Sequence, residues 1–212
     1  MSADTQDTNI QANKERFCQL LRATERENID YVIEDLEALG FFTAPASVRN
    51  HFNFPGGLVQ HSLNVYDAAM AVRRQMCELR PSLADELPEA SIAIAALLHD
   101  VCKADLYTMV NRKRKNEIGM WEDVKEYQIG YENFPMGHGE KSVIMLLRSG
   151  LDLEDAEALA IRWHMGPWEL NSASIDQDRN YRAAQAFSPL VPLIHTADTL
   201  AASLLERDTA TV

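Results

Sequence analysis

A chain of 212 residues, 46% hydrophobic and 25% charged, has enough material for one sizeable core or a core with an appendage. Its formal net charge of −12 argues against general binding to nucleic acid or anionic membrane, and no apolar run is long enough to span a bilayer. The polar start, "MSADTQDTNIQANKER", lacks the apolar core of a signal peptide, so cytoplasmic residence is expected; Cys18, Cys77 and Cys102 form no CxxC pair and read as buried reduced thiols.

Residues 1 to about 10 have no hydrophobic periodicity and read as disordered. From Lys14 to Leu39, Phe17, Leu20, Leu21, Ile29, Val32, Ile33, Leu36 and Leu39 recur at helical spacing, and Gly40 supplies a stop. The expected division is a tail and helix over 1–46, packed on a core domain over 47–212. "FFTAPASVRNHFNFPGG" is an irregular connection closed by Pro55-Gly56-Gly57. A helix starts near Leu58, and its stripe of Leu58, His61, Val65, Ala68, Ala69, Val72 and Met76 places His61 inside the apolar face. "LRPSLADELPEA" is a loop with two prolines. A helix from Glu89 to Val101 follows, apolar on nearly every side and ending in His99-Asp100.

Aromatic and β-branched residues without a helical stripe predict a β-hairpin over about 107–130. Helices are expected at about 138–150 and 153–165, with "MGPW" breaking the second, then at 179–187 and 189–206. On the last helix Asp198 falls within the stripe Ile194, Ala197, Ala201 and Leu205. The reading is an all-α bundle with one β-hairpin excursion.

His61, His99, Asp100 and Asp198 are polar residues on apolar faces or at the ends of apolar helices. His164 follows the stripe Ala156, Leu159, Ala160 and Trp163, and His138 sits in "GHGEKS" at an expected helix start. One buried histidine is ordinary. A buried carboxylate needs a cation, a cluster of donors or a metal. Several histidines and two aspartates pointing inward from separate helices share one economical explanation, a metal centre. Imidazole and carboxylate without thiolate suit one or two ions of Mn, Fe, Ni, Co or Zn.

The order His61, His99-Asp100, Asp198, with "GGLVQHSLNV", "ALLHDVCK" and "HTADTLAA" around it, resembles the HD-domain metal-dependent phosphohydrolases over about residues 47 to 205. His138 and His164 resemble the two extra histidines of the dimetal branch. Cys102 stands where the family often has Gly. The resemblance implies that His61, His99, Asp100 and Asp198 hold a first metal, that Asp100 bridges, and that His138 and His164 hold a second. Lys103 would then face a substrate phosphate beside Asp100 and stabilise charge on its oxygens. The implied activity is hydrolysis of a small phosphorylated substrate of the nucleotide class. The same ligand pattern resembles HD-fold di-iron oxygenases, and a non-catalytic nucleotide-binding module is a further alternative. "GGLVQH" also resembles a segment of bacterial 3′-to-5′ exoribonucleases, against which the acidic balance counts.

His51 is a candidate substrate contact, and His195, one helical turn before Asp198, a candidate donor behind the ligands. Arg112 and Arg114, in "RKRK", either attract phosphate groups or form a solvated charged edge that blocks aggregation. Trp121, Tyr127, Tyr131 and Trp168 are placed to stack on a base or to pack within the hairpin region. Oligomeric state has no signature in the sequence.

Overall fold

The computed structural model describes residues 3–48, 52–130, 133–171 and 174–206, with side chains from residue 9 onward. Among the described residues, the regular structure is helical except for one hairpin. It runs α1 (Ala3–Arg22), α2 (Ile29–Ala38), α3 (Gly57–Leu79), a single turn α4 (Leu83–Glu86), α5 (Glu89–Leu98), β1 (Tyr107–Lys115), β2 (Trp121–Ile129), α6 (His138–Arg148), α7 (Asp155–Arg162), α8 (Ile175–Phe187) and α9 (Leu190–Leu200). Short 3₁₀ turns lie at 41–43, 101–105 and 166–169. Among the described residues, no helix is long and apolar enough to cross a membrane.

Helix α5 is the axis of the bundle. Its sequence, "EASIAIAALL", offers no polar face, and residues 91–98 are all buried. A helix apolar on every side is stable in water only when neighbours cover it all round. Here α3, α7, α9 and α1 do so. Each fully buried Leu or Ile contributes about 1.5–3 kcal/mol, so Ile92, Ile94, Leu97 and Leu98 fix the helix axially. Phe17 of α1 meets Phe41 and Phe42 edge-on or tilted, with ring centroids 5.2 and 5.5 Å away.

Two N-terminal expectations are corrected. Residues 3–10, read as disordered, lie in α1. Ile10 packs against Gly56 and Asn13 donates to Gln60 at 2.7 Å, so this polar stretch has a surface to lie on. The continuous helix expected over 14–39 is broken in two. Glu25 and Asn28 take left-handed backbone (φ 54° and 64°), and Asn28 donates its side-chain amide to the carbonyl of Gly150 at 2.9 Å.

The hairpin agrees with expectation. Its strands pair antiparallel from Tyr107↔Ile129 to Lys115↔Trp121. Asn116 organises the turn, its side-chain oxygen accepting from the backbone of Ile118 and Met120 at 3.2 and 3.0 Å. This is the local bonding that makes Asn a turn residue. Helix α8 starts at Ile175, four residues earlier than expected, because Ser174 caps it by accepting from the Gln177 N–H. In place of the plain loop expected over 79–90 there is the single turn α4. Beyond α9, residues 201–205 form a π-helical segment. The sequence stripe puts Leu205 on the buried face, but Leu205 is exposed and Glu206 is buried instead.

Candidate metal centre

Five helices and the turns at their ends deliver six polar residues to one point. His61 projects from the second turn of α3, where its neighbours Leu58, Val59, Ser62 and Val65 are buried. His99 caps the C-terminus of α5, and Asp100 follows it. Adjacent residues on an α-helix diverge by about 100°. The backbone leaves the α region at Asp100 (φ −108°, ψ 18°) and enters a 3₁₀ turn. That bend lets both side chains face inward, with His99 Nε2 3.3 Å from Asp100 Oδ2. His138 opens α6, His164 lies two residues beyond α7, and Asp198 comes from α9.

The Nε2 atoms converge. His61 Nε2 lies 3.3 Å from His99 Nε2, 3.2 Å from Asp198 Oδ1 and 3.5 Å from Asp100 Oδ2. His138 Nε2 is 2.6 Å and His164 Nε2 3.4 Å from Asp100 Oδ1. Asp100 therefore faces His61 and His99 with one oxygen and His138 and His164 with the other. Lys103 pairs with Asp100 Oδ2. All of these side chains are buried except Lys103, Asp198 and His138, which are 13%, 18% and 21% exposed and mark the open side.

The opposite ring nitrogens are tied down. His99 Nδ1 bonds to the carbonyl of Ala96 at 2.8 Å, and His164 Nδ1 to that of Ile161 at 2.7 Å. Both carbonyls lie three residues back, at helix C-termini, where carbonyls lack intrahelical partners. His61 Nδ1 bonds instead to Glu206, 3.0 Å from each carboxylate oxygen. A proton held on Nδ1 leaves the Nε2 lone pair to act as a ligand.

The charge states follow from this packing. Burial works against charge on His61, but the carboxylates of Asp198 and Glu206 outweigh it and lift its pKa to about 9. Burial holds His99 low. Burial pushes against ionisation of Asp100 too, yet Lys103, His99 and His138 hold its carboxyl well below the usual range. Asp198, buried but bonded to His61, is also lowered.

The donor set fits a metal. Donor atoms lie within 4.8 Å of one another in three overlapping groups: His61, His99 and Asp198; His99, Asp100 and His164; and Asp100, Cys102 and His138. Among the described residues, His164 Nε2 is fully buried and has no hydrogen bond, although it points at Asp100. An unbonded, buried acceptor beside two carboxylates is costly without a cation to receive it. Cys102 adds a sulfur 3.3 and 3.8 Å from the two ring nitrogens of His138. It is nearly equidistant from both, so it lies beside the ring, off either N–H direction; burial pushes its thiol up to about 12.

Other candidates are placed differently. His195 bonds through Nδ1 to the backbone carbonyl of His164 at 2.7 Å, holding the ligand's main chain and not its ring. Arg112 and Arg114 are more than half exposed and both pair with Glu126 on the opposite strand, at 3.0 and 2.6 Å. They form a charged hairpin ladder. Trp121 and Trp168 are exposed, and His51 and Tyr131 lie outside the described residues.

Sequence reasoning passed over three residues here. Glu169 accepts from the N–H groups of His138 and Gly139 at 2.8 and 3.4 Å and so caps α6 beneath His138. Gly139 lets α6 approach α7, since a Cβ there would sit 2.1 Å from the Arg162 carbonyl oxygen. Glu206 lies behind His61. Neither glutamate sits in a helical stripe that would announce it; only the Gly in "GHGEKS" carried a readable signal of close approach.

No curated protein and no solved structure matches the chain. The HD domain profile matches residues 58–203, which include His61, His99, Asp100, His138, His164 and Asp198. The superfamily is that of the metal-dependent phosphohydrolases, and its divalent-metal chemistry agrees with the donor set described above. By the extent of this match and by its helical architecture, the chain belongs to the HD domain family.

Proposed function

We propose that the protein is a metal-dependent phosphohydrolase acting on a small phosphorylated substrate of the nucleotide class, a phosphomonoester or phosphodiester. The observation that carries this is Asp100 with its surroundings: one buried carboxylate shared by four histidines on its two oxygens, with a lysine beside it. His61, His99, Asp100 and Asp198 would hold one divalent ion, and His138 and His164 a second, with Asp100 common to both. Bound divalent metal supplies a water that ionises near neutral pH and a Lewis-acid charge for phosphoryl oxygens.

The chain's own residues do the rest. The backbone carbonyls of Ala96 and Ile161 hold His99 and His164 in the ligating tautomer. Glu169 and Gly139 fix His138 on the open side. Lys103 is mostly covered where it lies against Asp100, and desolvation alone would lower its pKa, but the Asp100 charge keeps it protonated. Its ammonium then stands at the edge of the centre to receive a phosphate oxygen.

The test is metal analysis of the purified protein, coupled to a panel of nucleotides, phosphomonoesters and phosphodiesters supplied with Mn, Co, Ni, Fe or Zn. Wild type is expected to carry one or two transition metals per chain and to turn over at least one phosphoester. Asp100→Ala is expected to lose the metal and more than about 100-fold of the activity. Wild-type protein that takes up none of these metals would sink the reading. Turnover that needs iron and oxygen, and no phosphoester, would move the chain to the oxygenases of the same fold. No turnover, with a nucleotide raising the melting temperature, would make it a binding module.

A further inference from the structure

His61 differs from His99 and His164 in one structural respect. The latter two stand at or just beyond helix C-termini and borrow a free carbonyl three residues back for Nδ1. His61 stands inside α3, where the preceding carbonyls serve the helix itself. Its Nδ1 needs an acceptor from elsewhere in the fold, and the acceptor is Glu206.

The chain reaches that position by an unusual route. After Leu200 the α-helix widens into a π-helical segment over 201–205, closed by the Glu206 N–H to the Ala201 carbonyl at 3.0 Å. Widening the turn changes which residue faces inward. Leu205 turns to solvent, and the Glu206 carboxylate is fully buried. π-Helical segments are rare and cluster at functional sites. The carboxylate receives His61 Nδ1 at 3.0 Å on each oxygen and the Asn64 side-chain amide at 3.0 Å. Asn64 lies one turn after His61 on the same helix, so α3 presents two donors to one carboxylate. Burying a carboxylate is costly, and an apolar residue would fill the space more cheaply. What only the carboxylate provides is a charged acceptor for the ring of His61.

We propose that Glu206 is a positioning residue of the metal centre: it holds His61 with its proton on Nδ1 and its Nε2 aimed at the metal, and raises the ligand strength of that nitrogen. The proposal rests on the reading of His61 as a metal ligand. It extends beyond the family match, which ends at residue 203.

The experiment measures Zn(II) binding to metal-free wild type, Glu206→Ala, Glu206→Gln and, as a control on the same segment, Leu205→Ala. Wild type and Leu205→Ala are expected to bind with equal affinity. Glu206→Ala is expected to lose about 10- to 100-fold, and Glu206→Gln, which keeps a neutral acceptor of the same size, to fall between. In ¹⁵N ring spectra of the zinc-loaded protein, the His61 Nδ1–H resonance should be sharp in wild type and broadened by exchange with water in Glu206→Ala. If Glu206→Ala folds poorly, Glu206→Gln carries the comparison. Melting temperatures that drop in both variants while zinc affinity stays at the wild-type value would overturn the role and leave the metal centre standing. Wild type that binds no zinc would instead overturn the metal reading, and this inference with it.

Discussion

Lys103 is the residue whose orientation most affects the chemistry. The family resemblance implies that it faces a substrate phosphate. In the fold it lies against Asp100, and its side chain is only 13% exposed. On the proposed reading, a cation held there would contribute to turnover without itself being a ligand. Lys103→Ala is therefore expected to keep its metal content and to lose about 10²–10³-fold in kcat, the usual cost of removing one charge-stabilising donor. Metal content that falls together with activity would show that Lys103 supports the site and does not act on substrate. Five of the six candidate ligands were legible because each placed an ionisable group on an apolar face or at the end of an apolar helix, while His138 was picked out by its place at an expected helix start and by the family resemblance. Glu206 and Glu169 were not legible. Each acts through a backbone shape, a π-helical segment or a 3₁₀ turn, that no residue type announces.

At the scale of elements, helix α7 depends on an unusual carboxylate. Glu157 is fully buried at its first turn, where it accepts from the backbone of Glu154 at 3.0 Å and pairs with Arg26 of the α1–α2 connection. Burial pushes its carboxyl above the ordinary value, although those bonds, and one from Ser91, pull the other way. A raised carboxyl binds its proton more tightly when folded. Its contribution to stability is then largest below about pH 4.3 and is lost as pH rises through the folded value. In urea melts, Glu157→Gln should gain on wild type as pH rises across that window. A difference between the two that stays flat with pH would refute this. Helix boundaries were readable where a cap or glycine marked them, as at Gly40 and Gly56-Gly57. They were misread at residues 23–28, where the break is made by Glu25 and Asn28 in left-handed backbone, without Gly or Pro. The start of α8 carried its signal in Ser174 and was still placed four residues late.

For the molecule as a whole, the candidate donors span residues 61 to 198 and come from helices packed largely through apolar side chains. A metal bound there ties α3, α5, α6, α7 and α9 together. At a free concentration 100 times its Kd, one such ion adds about 2.7 kcal/mol, which for a domain of this size raises Tm by about 5–10 °C. Chelation should lower Tm by that amount and re-addition should restore it; a melting curve indifferent to both would contradict the arrangement. The all-α architecture was legible from hydrophobic periodicity and the convergence of the helices from inward-pointing His and Asp residues, while the division into two metal positions depended on the family resemblance. The way the histidines are held has a further consequence for how the sequence can drift. The acceptors behind His99 and His164 are main-chain carbonyls, present whatever side chains occupy positions 96 and 161. The acceptor behind His61 is a side chain that one nucleotide change can erase. Any substitution that packs at 96 or 161 leaves those acceptors in place, whereas a substitution at 206 takes away the one behind His61.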